Sequence, residues 1–229
     1  MTTDIEYKKM AVAREALSFI EDGMIIGVGS GSTVRYFIDF LGKMYREGKI
    51  RDIVGLPTSF ETKKLLLKNG IKLASLWEYP EPDIAIDGAD SILIDKNLII
   101  KGLGGALLQE KLMDYAAKKL IIIVDESKMN KEVPIPIEVF PTALEYVILR
   151  LKKLGGNPKI REGTGKLWPV ISDNGNFIID LYMRMKELDK NTEVILNSIP
   201  GVFENGIFAR KMTILVGIDS KKVEKLEFS

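Results

Sequence analysis

Histidine and cysteine are both absent from the 229 residues of this chain. Without cysteine, the protein can form no disulfide bond and has no thiolate nucleophile. Without histidine, proton transfer near neutral pH must fall to carboxylates, lysines or tyrosines. An active site in this protein is therefore to be sought where those groups gather.

The sequence also lacks an excess of charge of either sign and any long apolar run. Lys+Arg 33 against Asp+Glu 32 leave a formal net charge of +1, which argues against nucleic acid or an anionic membrane as a partner. The longest apolar stretch, 120–124, has the length of a strand rather than of a membrane span. The N-terminal segment has neither the apolar region nor the cleavage site of a signal peptide. We therefore expect a cytoplasmic protein that acts on a small molecule.

Short runs of Ile, Val and Leu alternate with helical segments in the first half of the chain. This pattern predicts an α/β fold, in which a mostly parallel, Rossmann-like sheet is covered by helices. We expect helices at 5–19, 33–45, 60–69 and 104–118, and strands at 24–29, 52–56, 83–87, 97–101 and 120–124.

The pattern changes near the prolines at 134 and 136. From there to 208 the sequence predicts strand, helix, strand, strand, helix and strand, an order typical of the ferredoxin-like arrangement. We therefore predict a smaller ferredoxin-like α+β domain at 133–208, inserted into a catalytic α/β domain at 1–132 and 209–229. A last apolar run at 213–218 is expected to return to the large sheet.

A glycine-rich loop, GVGSGST at 27–33, lies between a predicted strand and a predicted helix. Backbone N–H groups at such a helix start, together with the hydroxyls of Ser30, Ser32 and Thr33, form an anion site suited to a phosphate. The loop is not a dinucleotide fingerprint, because Ser32 occupies the position of the third glycine and the strand at 52–56 ends without an acid. The structural alternative is a tight turn followed by a helix cap.

Two aspartates flank a Gly-Ala turn at the end of the strand at 83–87. Ligands of open α/β sheets bind outside the carboxyl ends of the strands, so Asp87 and Asp90 are candidates for an active site. The alternative is that both residues form a turn and cap it.

Glu110 lies about two turns into the predicted helix at 104–118. Apolar residues occur on both faces of this helix, so we expect it to be largely buried. A buried carboxylate in this position could serve as a general base. The alternative is a surface glutamate that pairs with Lys111 or another neighbour.

Lys101 and Lys128 each follow a predicted strand. Taken singly, each lysine is typical of a solvated charge. The carboxyl ends of parallel strands meet at one edge of the sheet, however, and the glycine loop and the two aspartates are expected at that edge. We therefore predict that the lysines, the aspartates and the loop share one rim.

In their order along the chain, these segments resemble the ribose-5-phosphate isomerase A family, and the resemblance covers nearly the whole chain. The matching motifs are GVGSGST at 27–33, PTS at 57–59, DGAD at 87–90, KGLGGALLQEK at 101–111, VDESK at 124–128, PIPIEV at 134–139, SDNGNFIID at 172–180 and IPGVFENGIF at 199–208.

The resemblance implies an enzyme that interconverts ribose 5-phosphate and ribulose 5-phosphate through an enediolate, without a metal or an organic cofactor. It implies that Glu110 is the base and that Asp87, Asp90 and Lys101 assist ring opening and polarise the substrate oxygens. It further implies a homodimer or homotetramer. The substrate-binding residues that it implies are Ser30, Gly31, Ser32, Thr33, Asp87, Gly88, Ala89, Asp90, Lys101, Gly102, Leu103, Gly104 and Lys128.

Three positions depart from the family pattern. Ser30 stands where Thr is more usual, Leu103 interrupts a run of glycines, and Ser91 replaces a common Glu. None of them removes a group that carries chemistry.

Two other functions are compatible with the fold class. One is a non-catalytic sugar-phosphate sensor, which would normally need an added DNA-binding segment. The other is an amino-sugar phosphate isomerase/deaminase, whose chemistry typically relies on histidine.

Overall fold

The structure, a computed structural model, describes residues 3–163 and 168–229. Its helices are α1 (Asp4–Ala16), α2 (Ser32–Arg46), α3 (Phe60–Lys68), α4 (Leu107–Ala116), α5 (Leu144–Lys153) and α6 (Lys190–Asn197). None of the described helices is long and apolar enough to cross a membrane. The strands are β1 (Ile25–Val28), β2 (Val54–Pro57), β3 (Lys72–Leu73), β4 (Ile84–Asp87), β5 (Ser91–Leu93), β6 (Leu98–Ile100), β7 (Lys119–Asp125), β8 (Ile135–Val139), β9 (Asn157–Ile160), β10 (Phe177–Tyr182), β11 (Val202–Asn205), β12 (Ile207–Phe208), β13 (Met212–Gly217) and β14 (Val223–Phe228).

The chain divides into two compact units. The first unit consists of Met1–Ala89, Gln109–Lys128 and Arg210–Ser229, and the second of Asp90–Leu108 and Met129–Ala209. The boundaries expected from the sequence assigned 90–108 to the large domain, whereas in the structure this segment belongs to the second unit. Each unit has its own sheets and its own apolar core.

The first unit is built on a seven-stranded sheet in the order β14-β13-β7-β4-β1-β2-β3. Every neighbouring pair is parallel except β13 and β14, which confirms the prediction of a mostly parallel sheet. The apolar run at 213–218 returns to this sheet as β13, as expected. The strand β14, which was not predicted, covers one edge as an antiparallel partner.

Helices pack on this sheet through regular apolar faces. On α2, four buried residues recur at helical spacing, which places them on the face that meets the core. They are Val34, Phe37, Ile38 and Leu41. On β7, Ile121 and Ile123 belong to the same core, while Leu120 and Ile122 on the alternate face are equally buried. Since side chains alternate across a strand, β7 is covered on both faces.

The strand order reverses next to β1. The chain goes from β1 through α2 to β2 on one side, and later returns as β4 on the other side of β1. In open α/β sheets such a reversal leaves a crevice outside the carboxyl ends of the two strands, and ligands bind there. The loops after β1 and β4 start at this point, so the topology itself brings them together.

The second unit contains a four-stranded antiparallel sheet in the order β11-β8-β10-β9. With α5 and α6, its elements follow the chain order β-α-β-β-α-β, and this strand order is that of the ferredoxin-like arrangement. Its core is formed by buried aliphatic side chains of β8, β10 and α5, among others. They include Ile135, Ile137, Val139, Val147, Leu151, Ile179 and Leu181.

The strand expected at 97–101 does not join the parallel sheet. It forms β6, which lies between β5 and β12 in a three-stranded antiparallel sheet of the second unit. Only a single turn of 3-10 helix and Asn97, which has a positive φ of 51°, separate β5 from β6. A parallel pairing needs a crossover of roughly a dozen residues or more, so this short connection can form only a hairpin.

The last strand of the predicted ferredoxin-like domain, which ends at 208, is likewise divided. Its first part, β11, pairs with β8, and its second part, β12, pairs with β6. Gly206 lies at the break, where a Cβ atom would come within 2.4 Å of the carbonyl oxygen of Lys101. The two backbones can therefore approach each other only because this residue is a glycine.

Candidate active site

The glycine loop after β1 leads directly into α2. Gly31 precedes the helix with a φ of 102°, a backbone conformation that residues other than glycine rarely adopt. Ser32 and Thr33 then form the first turn of α2, where N–H groups have no partner within the helix. Ser30, Gly31, Ser32 and Thr33 thus lie at the N-terminus of α2, and their role in binding an anion remains a prediction.

Asp87 is the last residue of β4 and is fully buried. Its Oδ1 accepts hydrogen bonds from the backbone N–H of Ser30 at 3.2 Å and from that of Gly88 at 2.6 Å. A Cβ on Gly29 would lie 1.9 Å from the carboxyl carbon of Asp87, so this glycine makes room for the carboxylate. The loop and the aspartate therefore fix each other.

Glu110 is buried and lies in the first turn of α4, not two turns into the helix. The helix starts only at Leu107 because the preceding residues form a glycine-rich turn, in which the N–H of Gly105 donates to the carbonyl of Gly102. The expectation of a helix buried on both faces is also wrong, because Leu112 is 50% exposed. Only the face that carries Glu110 and Met113 is buried.

The carboxylate of Glu110 is oriented by Ser30. The Oγ of Ser30 donates to Oε1 of Glu110 at 2.5 Å, a short hydrogen bond to a carboxylate. The helix can approach β1 because Gly27 has no side chain: a Cβ there would lie 2.6 Å from Cγ of Met113. Gly27 thus leaves room for Met113, and Gly29 leaves room for Asp87. Ser30 is hydrogen-bonded to both Asp87 and Glu110.

Lys128 ends the 3-10 turn Glu126–Lys128 after β7. Since β7 neighbours β4 in the sheet, this half-buried lysine lies at the same carboxyl edge as Asp87. The turn is tied to α1 by Glu126, whose carboxylate binds Lys8 at 2.7 Å. The hydrogen bond of Lys8 with Asp4, and next that with Glu126, raises the pKa of the Lys8 ammonium.

In the second unit, Asp90 and the loop after β6 form a separate arrangement. The Oδ2 of Asp90 accepts a hydrogen bond from the N–H of Leu103 at 3.0 Å, and the N–H of Asp90 donates to the carbonyl of Ile100. Gly102 has a φ of 96°, and a Cβ there would lie 2.4 Å from Cβ of Leu107. Gly104 is exposed.

Lys101 directly follows β6 and is almost completely buried. Its ammonium lies 5.0 Å from the ring centre of Phe208, within the range of a cation–π contact, and its backbone N–H donates to the carbonyl of Gly206. Burial of a lysine is costly unless its charge is compensated, so the interpretation of Lys101 as a solvated charge does not hold.

The expected site residues thus fall into two groups. The first unit brings together Ser30, Gly31, Ser32, Thr33, Asp87, Gly88 and Glu110, with Ala89 beside them in the chain and Lys128 at the same sheet edge. The second unit holds Asp90, Lys101, Gly102, Leu103 and Gly104.

Three residues that contact these groups were not identified from the sequence. The hydroxyl of Thr62 donates to the carbonyl of Gly29 at 2.7 Å, and the ammonium of Lys9 donates to Oγ of Ser32 at 2.9 Å. The guanidinium of Arg161 donates to the carbonyl of Leu103 at 2.9 Å. Thr62 lies next to the PTS motif, whose Ser59 caps α3 by accepting the N–H of Thr62, but no sequence pattern pointed to Lys9 or Arg161.

Comparison with known proteins gives consistent matches. The family model described as "Ribose 5-phosphate isomerase A (phosphoriboisomerase A)" matches residues 54–221. Ribose-5-phosphate isomerase A of Methanococcus vannielii is 45% identical over 231 residues, which cover 99% of this chain and 95% of that protein. The protein of the same name from Pyrococcus horikoshii is 44% identical, over 98% of this chain and 99% of its own.

Solved structures agree with the sequence matches. The structure of ribose 5-phosphate isomerase A from Methanocaldococcus jannaschii superimposes with a TM-score of 0.92 at 44% identity, over 97% of this chain and 99% of that one. A D-ribose-5-phosphate isomerase in complex with phospho-erythronic acid gives a TM-score of 0.94 at 44% identity, over 98% and 100% of the two chains.

Proposed function

Since the chain belongs to the ribose 5-phosphate isomerase A family, we propose that it interconverts D-ribose 5-phosphate and D-ribulose 5-phosphate with Glu110 as the base. The observation that carries this assignment is the buried Glu110 carboxylate, which is held by Ser30 in the same hydrogen-bonded cluster as Asp87. Isomerisation of an aldose needs a positioned base to remove the proton from C2, the carbon next to the carbonyl.

The steps of the reaction assign a role to each group. After the sugar ring opens to the aldehyde, Glu110 removes the C2 proton, the C1=C2 bond forms, and negative charge develops on O1. Transfer of the O2 proton to O1 and return of the proton from Glu110 to C1 then give the ketone. Asp87 and Asp90 assist ring opening and the transfer of hydroxyl protons. Lys101 stabilises the charge on the enediolate oxygens, as a fixed cation does best in a site from which water is excluded.

The phosphate is assigned to the loop of the first unit. The N–H groups at the start of α2, the hydroxyls of Ser30, Ser32 and Thr33, and the Lys128 ammonium together suit a dianion. Support comes from the relative in complex with phospho-erythronic acid. That ligand combines a phosphate with a carboxylate on a four-carbon chain, and its carboxylate resembles the enediolate in charge.

The test of this proposal is Glu110→Gln, assayed for conversion of ribose 5-phosphate to ribulose 5-phosphate. The substitution keeps the size of the side chain but removes the proton acceptor, so kcat should fall by about 10²–10⁴ while phospho-erythronic acid still binds. Glu15→Gln is the matched control, because Glu15 is an exposed residue of α1. Its kcat should equal that of the wild type.

Two results would contradict the proposal. A folded Glu110→Gln enzyme with near-normal kcat would remove Glu110 from the mechanism. A wild-type protein that binds ribose 5-phosphate without converting it would instead indicate a sugar-phosphate sensor. The cytoplasmic location, the homodimer or homotetramer, and the independence of metal and cofactor remain predictions from the sequence.

A further inference from the structure

Arg161 anchors the glycine loop of the second unit. Its Nε donates to Oδ2 of Asp180 at 2.9 Å, and its Nη2 binds the other carboxylate oxygen. Its Nη1 donates to the carbonyl of Leu103 at 2.9 Å and reaches that of Gly102 at 3.5 Å. The guanidinium therefore joins the strand that carries Asp180, β10, to the backbone of the loop.

Hydrogen bonds hold both the backbone and the side chain of Arg161. Arg161 follows β9 directly, and its N–H donates to the carbonyl of Ile178 on β10 at 2.9 Å. The side chains of Arg161 and Asp180 are only 14% and 18% exposed. A bidentate pair of guanidinium and carboxylate fixes the plane of the guanidinium, so the two loop carbonyls are bound by a group with little freedom to move.

Peptide geometry transmits this restraint to the opposite side of the loop. In a trans peptide the C=O and N–H bonds point in opposite directions. The peptide between Gly102 and Leu103 shows the consequence, since its carbonyl faces Arg161 while its N–H donates to Asp90 at 3.0 Å. By the same geometry, the N–H of the exposed Gly104 points away from the guanidinium that binds the carbonyl of Leu103.

We propose that Arg161 is a positioning residue for the isomerisation, and that Asp180 acts through it. Arg161 turns two successive peptide planes so that the N–H of Leu103 holds the carboxylate of Asp90 and the N–H of Gly104 is presented to an oxygen of the substrate. The inference rests on the proposed function, because it assigns Asp90 and this loop to the reacting end of the sugar phosphate rather than to its phosphate.

Because Arg161 acts on the reacting end, its loss should lower kcat more than it raises KM. Arg161→Lys keeps the charge but cannot bind Asp180 and the loop carbonyls as a planar fork, so kcat should fall about 10- to 100-fold, as expected for a catalytic group misplaced by about 1 Å. KM should change less than about threefold, since phosphate binding dominates it. Asp180→Asn should give a smaller loss in the same direction.

The second readout is chemical rescue. Guanidinium ion, added to Arg161→Ala below denaturing concentrations, should restore part of kcat without raising the melting temperature. The control is Arg184→Lys, because the side chain of Arg184 is 71% exposed and pairs only with the nearby Glu187 among the ion pairs seen in the described part of the chain. Its kcat should match the wild type.

The outcomes separate the two proposals. An inactive wild-type enzyme would refute the proposed function, and this inference with it. An active wild type with unchanged kcat in both Arg161→Lys and Asp180→Asn would refute the inference alone. So would a loss of kcat that only accompanies a loss of folded protein and that guanidinium does not rescue. If Arg161→Ala does not fold, the kcat and KM of Arg161→Lys decide the matter alone.

Discussion

Each unit holds its glycine loop through hydrogen bonds to both sides of one peptide, but the residues that make these bonds come from different places in the chain. In the first unit, the carbonyl of Gly29 accepts from Thr62 and the next N–H, that of Ser30, donates to Asp87. In the second unit, the carbonyl of Gly102 faces Arg161 and the next N–H, that of Leu103, donates to Asp90. Each aspartate is thus held by one peptide of a glycine loop, and that peptide is bound on both sides.

The two loops differ in how their hydrogen-bonding partners are brought to them. Asp87 and the loop at 29–31 come after neighbouring parallel strands, so the strand order alone brings them together. Arg161 is separated from Leu103 by 58 positions, and it reaches the loop only after a complete βαβ segment has folded. The first arrangement results from topology, whereas the second depends on one long-range side chain.

Among the substitutions that compare the two units, removal of the charge of each aspartate should have the largest effect. Asp87→Asn and Asp90→Asn keep an oxygen that can accept the loop N–H but lose the carboxylate, so kcat should fall about 10²–10³-fold in each, as for the loss of one electrostatic group. Asp95→Asn, at an exposed position in the β5–β6 connection, is the matched control.

Steady-state kinetics of the three variants, with folding checked by circular dichroism, would test whether the two groups are equivalent. Loss in Asp87→Asn alone would show that the arrangement in the second unit is structural. The likeness between the two loops would then have no functional meaning.

A smaller effect is expected from filling the loops with a methyl group. In Gly29→Ala the new Cβ would overlap the carboxyl group of Asp87, whereas a Cβ on Gly104 meets no atom within 4 Å in the described structure. Overpacking of this kind costs about 1–3 kcal/mol, so Gly29→Ala should be destabilised by that amount and should lose activity. Gly104→Ala should unfold at the wild-type denaturant midpoint. Equal stability of the two variants would contradict the close packing of Asp87 against the loop.

The smallest effect concerns the opposite end of β4. Asp83, which precedes this strand, accepts from the N–H of Ile25 at 3.0 Å and from Lys118 at 2.9 Å. These bonds lower the pKa of Asp83 in the folded chain, that of Ile25 most. The carboxylate therefore stabilises the fold above its unfolded-state pKa of about 3.9, and this contribution is lost as the pH falls through the lower folded pKa.

For this partly exposed group, Asp83→Asn should cost about 1 kcal/mol or less at pH 7, with kcat unchanged. The difference in unfolding free energy from the wild type should shrink as the pH is lowered below about 4. A pH-independent difference would mean that the ionised carboxylate is not what stabilises this end of the strand.

The sequence predicted the first unit better than the second. The alternation of strands and helices placed the glycine loop, Asp87 and Lys128 at one sheet edge, because parallel strands expose their carboxyl ends together. The start of α4 was misplaced, because Gly104 and Gly105 were assigned to the helix although Gly102–Gly105 form a turn.

The second unit was harder to predict because short apolar runs do not reveal their partners. The segment 97–101 has the composition of a buried parallel strand. Only its short connection to β5 shows that these two strands must pair as an antiparallel hairpin. No local sequence pattern predicts the contacts of Arg161, because an arginine after a strand is most often a solvated charge.

Hydrogen exchange with solvent tests whether Glu110 moves a proton between C2 and C1 of the substrate. Ribose 5-phosphate is incubated with enzyme in D₂O over many turnovers, and its C2 proton is followed by NMR. We expect the wild type gradually to replace this hydrogen with deuterium. Glu110→Gln should bind phospho-erythronic acid but exchange at least about 10²-fold more slowly. Complete retention of hydrogen by the active wild type would indicate a hydride shift, and wild-type exchange in Glu110→Gln would assign the base to another residue.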